Sequence, residues 1–99
     1  SLNEFELPDY SDMDITDKWI LSSLNRTILR VNKAYDEYKM NDAVKDVYNF
    51  VHNDFCDWYI EFSKSRLYGK NDEDCKRNLI TSIHVLRNIL KLSHRHFSF

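Results

Sequence analysis

The residues from Asn49 to Lys64, NFVHNDFCDWYIEFSK, leave this chain few choices of fold. At about 100° per residue, Val44, Val47, Tyr48, Val51, Phe55, Trp58, Tyr59 and Phe62 gather within roughly 120° of one another on a helix. A face so wide and apolar has to be buried, so other helices must cover it. Asp46, Asp57, Glu61 and Lys64 point the other way, with Asp54 at the margin. The outward side is therefore mainly acidic and repels a phosphate backbone.

The flanking sequence supplies the cover. Thr16 is the expected N-cap of a long helix, with Asp17 in its first turn, where a negative charge suits the helix dipole. Ile20, Leu24, Ile28, Val31, Tyr35 and Tyr38 step by four and three, a seam about 80° wide that is expected to face the core. Trp19, Ser23, Arg26, Arg30 and Lys33 lie opposite, a basic stripe with an aromatic at one end. Lys39 to Asn41 reads as a short connection with Asn41 as the next N-cap, and so short a link makes the two helices antiparallel neighbours. Lys64 to Lys70 is a positive loop ending near the one glycine, Gly69, where a helix stops.

Asp72, Glu73 and Asp74 then open a third helix whose apolar positions, Cys75, Leu79, Ile83, Leu86 and Leu90, are expected to close the bundle. Arg77, His84 and Lys91, with Arg87 beside them, form a second cationic stripe that reads as solvent-facing. The tail from Ser93 to Phe99 has no clear period. The expectation is an all-α, antiparallel helical bundle of three main helices over residues 16–99, preceded by an acidic linker at 1–15.

Composition agrees with that reading. Ninety-nine residues make one domain, and one Gly with one Pro leaves too little turn chemistry for a many-stranded fold. Residues 1–16 carry five acids and no base, against eleven acids and fourteen bases in 17–99, so the leader alone makes the chain acidic. Such a leader on so small a domain suggests part of something larger. No apolar run is long enough to span a membrane, and Cys56 and Cys75 lack a Cys-x-x-Cys pairing, so reduced packing cysteines and a cytoplasmic location are expected.

Motifs for chemistry are missing. There is no glycine-rich phosphate loop, no Gly-x-Ser-x-Gly and no His-Glu-x-x-His. His94 and His96 are too few ligands for a metal site, and His52 and His84 read as structural or surface histidines. Asp57 and Glu61 share an outward face, where carboxylates are solvated, so no catalytic residue and no metal ligand is assigned.

Two motifs carry a resemblance. NDFCDWYIEFSK, Asn53 to Lys64, resembles the Asn-x-Phe-Cys-Asp-Trp-Tyr-Leu-Glu-x-x-Lys segment of valyl-tRNA synthetases. DKWILSSLNRTI, Asp17 to Ile28, is similar to the same family's Asp-Arg-Trp-Ile-Leu-Ser-Arg-Leu-Asn-x-x-Ile, in the right order and at a fitting separation. The third helix resembles the family's Leu-rich helix ending in Leu-Leu-His-Pro-Phe-Met-Pro-Phe. Here LSHRHFSF keeps Leu92, His94 and Phe99 but carries Arg95 and Ser98 where the family has prolines, leaving the last helix without its proline stop.

The resemblance spans about residues 16–94 and implies the helical anticodon-binding domain of a class I synthetase. The implied parent joins valine to tRNA(Val) with ATP and magnesium, whereas this chain lacks the His-Ile-Gly-His and Lys-Met-Ser-Lys-Ser signatures and so would hold tRNA without a cofactor of its own. Its other expected partners are the remaining domains of the same synthetase, with no DNA and no membrane. By the same resemblance, tRNA contact falls to Asn25, Arg26, Arg30 and Lys33 of the first helix, with Lys64, Arg66 and Lys70 adding attraction to the backbone. Trp19 is read as packing at the bundle end, and Trp58 and Tyr59 as buried fold determinants. The rival reading is a helical protein-interaction module whose binding depends on apolar residues and hardly on salt.

Overall fold

The computed structural model describes residues 7–69 and 71–97. A 3-10 turn at Tyr10–Asp12 leads into α1 (Ile15–Asp36); α2 (Met40–Asn49), a π-helical segment (Phe50–Tyr59) and α3 (Ile60–Leu67) form one continuous rod, and α4 (Asp72–Phe97) completes the fold. No strand occurs among the described residues. The three rods run up, down and up. Asp17 at the start of α1 meets Arg66 at the end of α3, while Ala34 at the other end of α1 packs with Ala43 of α2 and Leu92 of α4. This is the all-α antiparallel bundle the sequence predicts.

The caps differ in detail from expectation. Asp14, not Thr16, caps α1: its carboxylate accepts from the Thr16 N–H at 2.9 Å and from the Thr16 hydroxyl. Burial alone would raise the Asp14 pKa, but these two bonds and nearby Arg66 hold it below the ordinary carboxylate value. The link to α2 lies at 37–39 rather than at Lys39–Asn41, and Asn41 sits inside the helix. There Lys39 N–H donates to Ala34 O at 2.7 Å and Tyr38 N–H to Tyr35 O at 3.0 Å. That bond pair is a Schellman closure, with Tyr38 at φ 60° where glycine usually sits.

The core takes fewer of the central aromatics than a uniform 100° step predicts. Phe50, Phe55 and Tyr59 are buried and Val47 and Val51 pack on the core, but Val44, Tyr48, Trp58 and Phe62 are exposed, Trp58 at 57%. The reason is the π register, in which Ile60 N–H donates to Phe55 O, five residues back. Buried positions then step by five and four, and Trp58 and Phe62 swing to the rim, their rings 6.1 Å apart. On α1, Ile20, Leu24 and Val31 are buried and Ile28 partly so, whereas Tyr35 and Tyr38 are exposed where the helix ends.

α4 departs most from expectation. Leu79, Ile83, Leu86 and Leu90 are exposed, and the side turned inward is Asn78, Thr81, Val85, Ile89 and Leu92. The helix carries two apolar stripes side by side, and Asn78 selects the inner one by hydrogen-bonding Tyr59 and Ser63 at 2.9 and 2.7 Å. Cys56 is exposed and Cys75 half-buried, so Cys56 is not a packing residue; both are free thiols. With no proline to stop it, α4 runs to Phe97, and His96 docks it on α1 by a 2.7 Å contact with Asn32 and a ring contact with Tyr35 at 4.4 Å. Of the leader, residues 1–6 lie outside the described region; Leu7 and Met13 pack on the core.

Candidate nucleic-acid interface

Position on α1 decides which of its polar residues can reach a ligand. The buried seam of Ile20, Leu24 and Val31 fixes the roll of the helix, and Arg26, Arg30 and Lys33 then fall within roughly 60° of one another on the side away from the core. All three are exposed, as is Asn25. None of the three cations forms an ion pair among the described residues. Asn25 stands apart from them, with Ile28 and Asn32, on the flank turned toward α4. Ser23, expected on the outward stripe, is buried and donates to Asp54 of the π segment. Trp19 is half-buried and meets Phe62 edge to face at 6.3 Å.

Arg66 is not a surface cation. Its side chain is 9% exposed, and its guanidinium binds Asp17 in bidentate fashion at 2.5 and 3.0 Å while Nε and Nη2 reach Asp74 at 3.1 and 2.9 Å. Tyr59 OH donates to the same Asp17 at 2.7 Å, and Asn78 donates to Tyr59. Burial by itself would lower the Arg66 pKa, yet the two carboxylates raise it well above its usual value. Burial and then Asp17 push the Tyr59 phenol up, so it stays a donor. The hub joins α1, the π segment, α3 and α4, and no guanidinium edge is left for a phosphate. The sequence did hold a signal: Arg66 lies seven residues beyond Tyr59, two turns down the same inward side.

The stretch expected as a positive loop from Lys64 is helical to Leu67, so Lys64, like Arg66, lies in α3; Lys64 is exposed and pairs with Glu61 at 2.7 Å, and Lys70 lies outside the described residues. Among the described residues no group of three His, Cys, Asp or Glu side chains converges on a possible metal position, and no helix is long and apolar enough to cross a membrane.

Residues 17–95 match the family described as the anticodon-binding domain of tRNA ligase. The chain belongs to that family. It is similar to the valine–tRNA ligases of Latilactobacillus sakei, at 42% identity over 90% of the chain, and Lactobacillus acidophilus, at 46% over 89%. The valine–tRNA ligase of Lactiplantibacillus plantarum is 44% identical over 95% of the chain. The chain spans only 10–11% of the length of these relatives. No solved structure matches it. Within this domain, the hub of Asp17, Tyr59, Arg66 and Asp74 ties the start of α1 to the other two rods.

Proposed function

We propose that this domain holds the anticodon end of tRNA(Val) for a valine–tRNA ligase, with Arg26 and Arg30 as the principal contacts and Asn25 and Lys33 beside them. The observation that carries the reading is that Arg26 and Arg30 stand one turn apart, exposed and without ion pairs among the described residues, on the outer side of α1 in a domain of this family. A planar guanidinium grips a phosphate or a base edge and stacks on a base face, which suits an unpaired loop. Lys64 and Lys70 add electrostatic attraction. Aminoacylation, with ATP and magnesium, belongs to the rest of such a ligase, in the cytoplasm, and the other domains are this domain's protein partners.

The test is binding of the 99-residue chain to a valine tRNA transcript and to one with an altered anticodon, at two salt concentrations, alongside an Arg26→Ala/Arg30→Ala variant. Binding should fall with salt, fall with the altered anticodon and be lost in the variant. Indifference to all three changes overturns the assignment. The rival protein-interaction reading has one observation behind it, the exposed stripe Leu79, Ile83, Leu86 and Leu90. It requires binding that ignores salt and fails on substituting those residues.

A further inference from the structure

Charge is distributed unevenly between the rods. From Cys75 to Phe97, α4 carries five Lys and Arg residues and no Asp or Glu, and α1 has no acid from Lys18 to Tyr35. The rod from Met40 to Leu67 carries five acids and three bases, one of which, Arg66, is inside the hub. On α4, Arg77, His84, Asn88, Lys91 and Arg95 share a face about 60° wide, with Arg87 at its edge. That face adjoins α1 directly: Asn88, Lys91 and Arg95 line a groove of about 130 Å³ with Ile28.

The cations of this face are not neutralised within the fold. Arg77, Arg87, Lys91 and Arg95 form no ion pair among the described residues. The imidazole of His84, which contacts Asn88 at 3.2 Å, has its pKa lowered by burial and then by Arg87 and Lys91, as expected where positive charge accumulates. The groove is lined by Lys91, Arg95 and Asn88 with Ile28 and Leu92, and offers no aromatic ring on which a base could stack. It can seat backbone. Across the outer side of α1, with Asn25 and Leu29 exposed between, the α4 face continues into Arg26, Lys33 and Arg30.

We infer that Arg87, Lys91 and Arg95 of α4 form a second contact with the same RNA, binding the phosphate backbone beside the loop that Arg26 and Arg30 hold, so that the RNA lies astride α1. This rests on the reading under Proposed function. Lysine and arginine rows over a shallow groove position a backbone without reading sequence. The two flanks of α1 therefore divide the work: one discriminates anticodons and the other adds salt-dependent affinity.

The experiment compares the 99-residue chain with Arg87→Gln/Lys91→Gln/Arg95→Gln and with Arg26→Ala/Arg30→Ala, each checked for an unchanged melting curve. Matched and altered valine tRNA transcripts are titrated across a salt series. The α4 variant should lose at least about tenfold in affinity for both transcripts equally, with the slope of log K against log salt shallower by about two to three units. The His84 imidazole resonances of the unsubstituted chain should also shift when RNA is added at fixed pH. If the α4 variant binds with unchanged affinity and slope, or His84 does not respond while the α1 variant still loses binding, the second contact is refuted and the proposed function stands. If the α4 variant alters discrimination between transcripts, the division of work is refuted. If the unsubstituted chain binds neither transcript, both readings fall together.

Discussion

Arg66 and Arg26 carry the same guanidinium and lie in opposite circumstances. Arg66 ends α3 among Asp17, Asp74 and Tyr59, nearly enclosed, and every edge of it is bonded. Arg26 stands on the outer side of α1 with no ion pair among the described residues. The difference lies in what each helix face meets on folding: inward-facing Arg66 finds two carboxylates contributed by the other rods, Asp17 and Asp74, with the Tyr59 phenol of its own rod bonded to Asp17, and outward-facing Arg26 finds solvent. A charge that the fold consumes stabilises the fold, whereas a charge that it leaves open is free for a partner.

That contrast is broken most directly by deleting each arginine in turn. Arg66→Ala leaves Asp17 buried and uncompensated, and removing one partner of a buried pair costs about 3–5 kcal/mol. Arg26→Ala/Arg30→Ala should change stability by no more than about 0.5 kcal/mol, as for exposed side chains without special contacts. Urea unfolding of the two variants checks this. Equal losses in both would mean that the outer arginines are structural and that the two classes do not exist.

The same contrast shows what could be read from the sequence. Helical spacing and charge were enough for three antiparallel rods and for the outward position of Arg26, Arg30 and Lys33. Three things were hidden. The π segment changes the step along the central rod, so a constant 100° counted Trp58 and Phe62 as buried although they lie at the rim. α4 has two adjacent apolar stripes, and periodicity favours the richer one, Leu79 to Leu90, while hydrogen bonds from Asn78 to Tyr59 and Ser63 turn the other inward. For Arg66, the seven-residue step from Tyr59 marks the inward side, but its partners Asp17 and Asp74 come from other helices, and which carboxylates meet it leaves no periodic mark.

A smaller change sharpens the account of the hub. Tyr59→Phe keeps the buried ring and removes only the hydroxyl that donates to Asp17 at 2.7 Å and accepts from Asn78 at 2.9 Å. Leaving those groups short of a partner should cost about 1–3 kcal/mol, less than the loss of Arg66, by the same unfolding measurement. A loss as large as that of Arg66→Ala would place the phenol, rather than the guanidinium, at the centre of the network.

At the opposite end of the bundle the expected sign reverses. Tyr38 holds φ 60° in the closure of α1, a backbone conformation that costs an L-residue about 1–2 kcal/mol and glycine almost nothing. Its side chain is 95% exposed and has no packing to lose. Tyr38→Gly should therefore raise stability, by about 1 kcal/mol after the added freedom of the unfolded chain is set against the relief of strain. A lower melting temperature would show that the ring has a role in the bundle that its exposure does not suggest.

Acidification should act through smaller effects of one sign, at His84 in the middle of α4 and at the Asp14 cap of α1. His84, whose folded pKa lies below its ordinary value of 6.5, binds protons less readily folded than unfolded. The stability it contributes is full above that value and declines as the pH falls toward its lower folded pKa. Asp14 behaves alike at lower pH, because its folded pKa lies below 3.8 and its cap on Thr16 is lost as the pH drops through that range. Melting temperature should thus fall in two steps on acidification. His84→Gln should remove the first step and leave the second. The opposite order, a gain of stability between pH 7 and pH 5 that His84→Gln abolishes, would show that the His84 pKa is raised by a carboxylate rather than lowered by burial and by Arg87 and Lys91, and the positive character assigned to the α4 face would go with it.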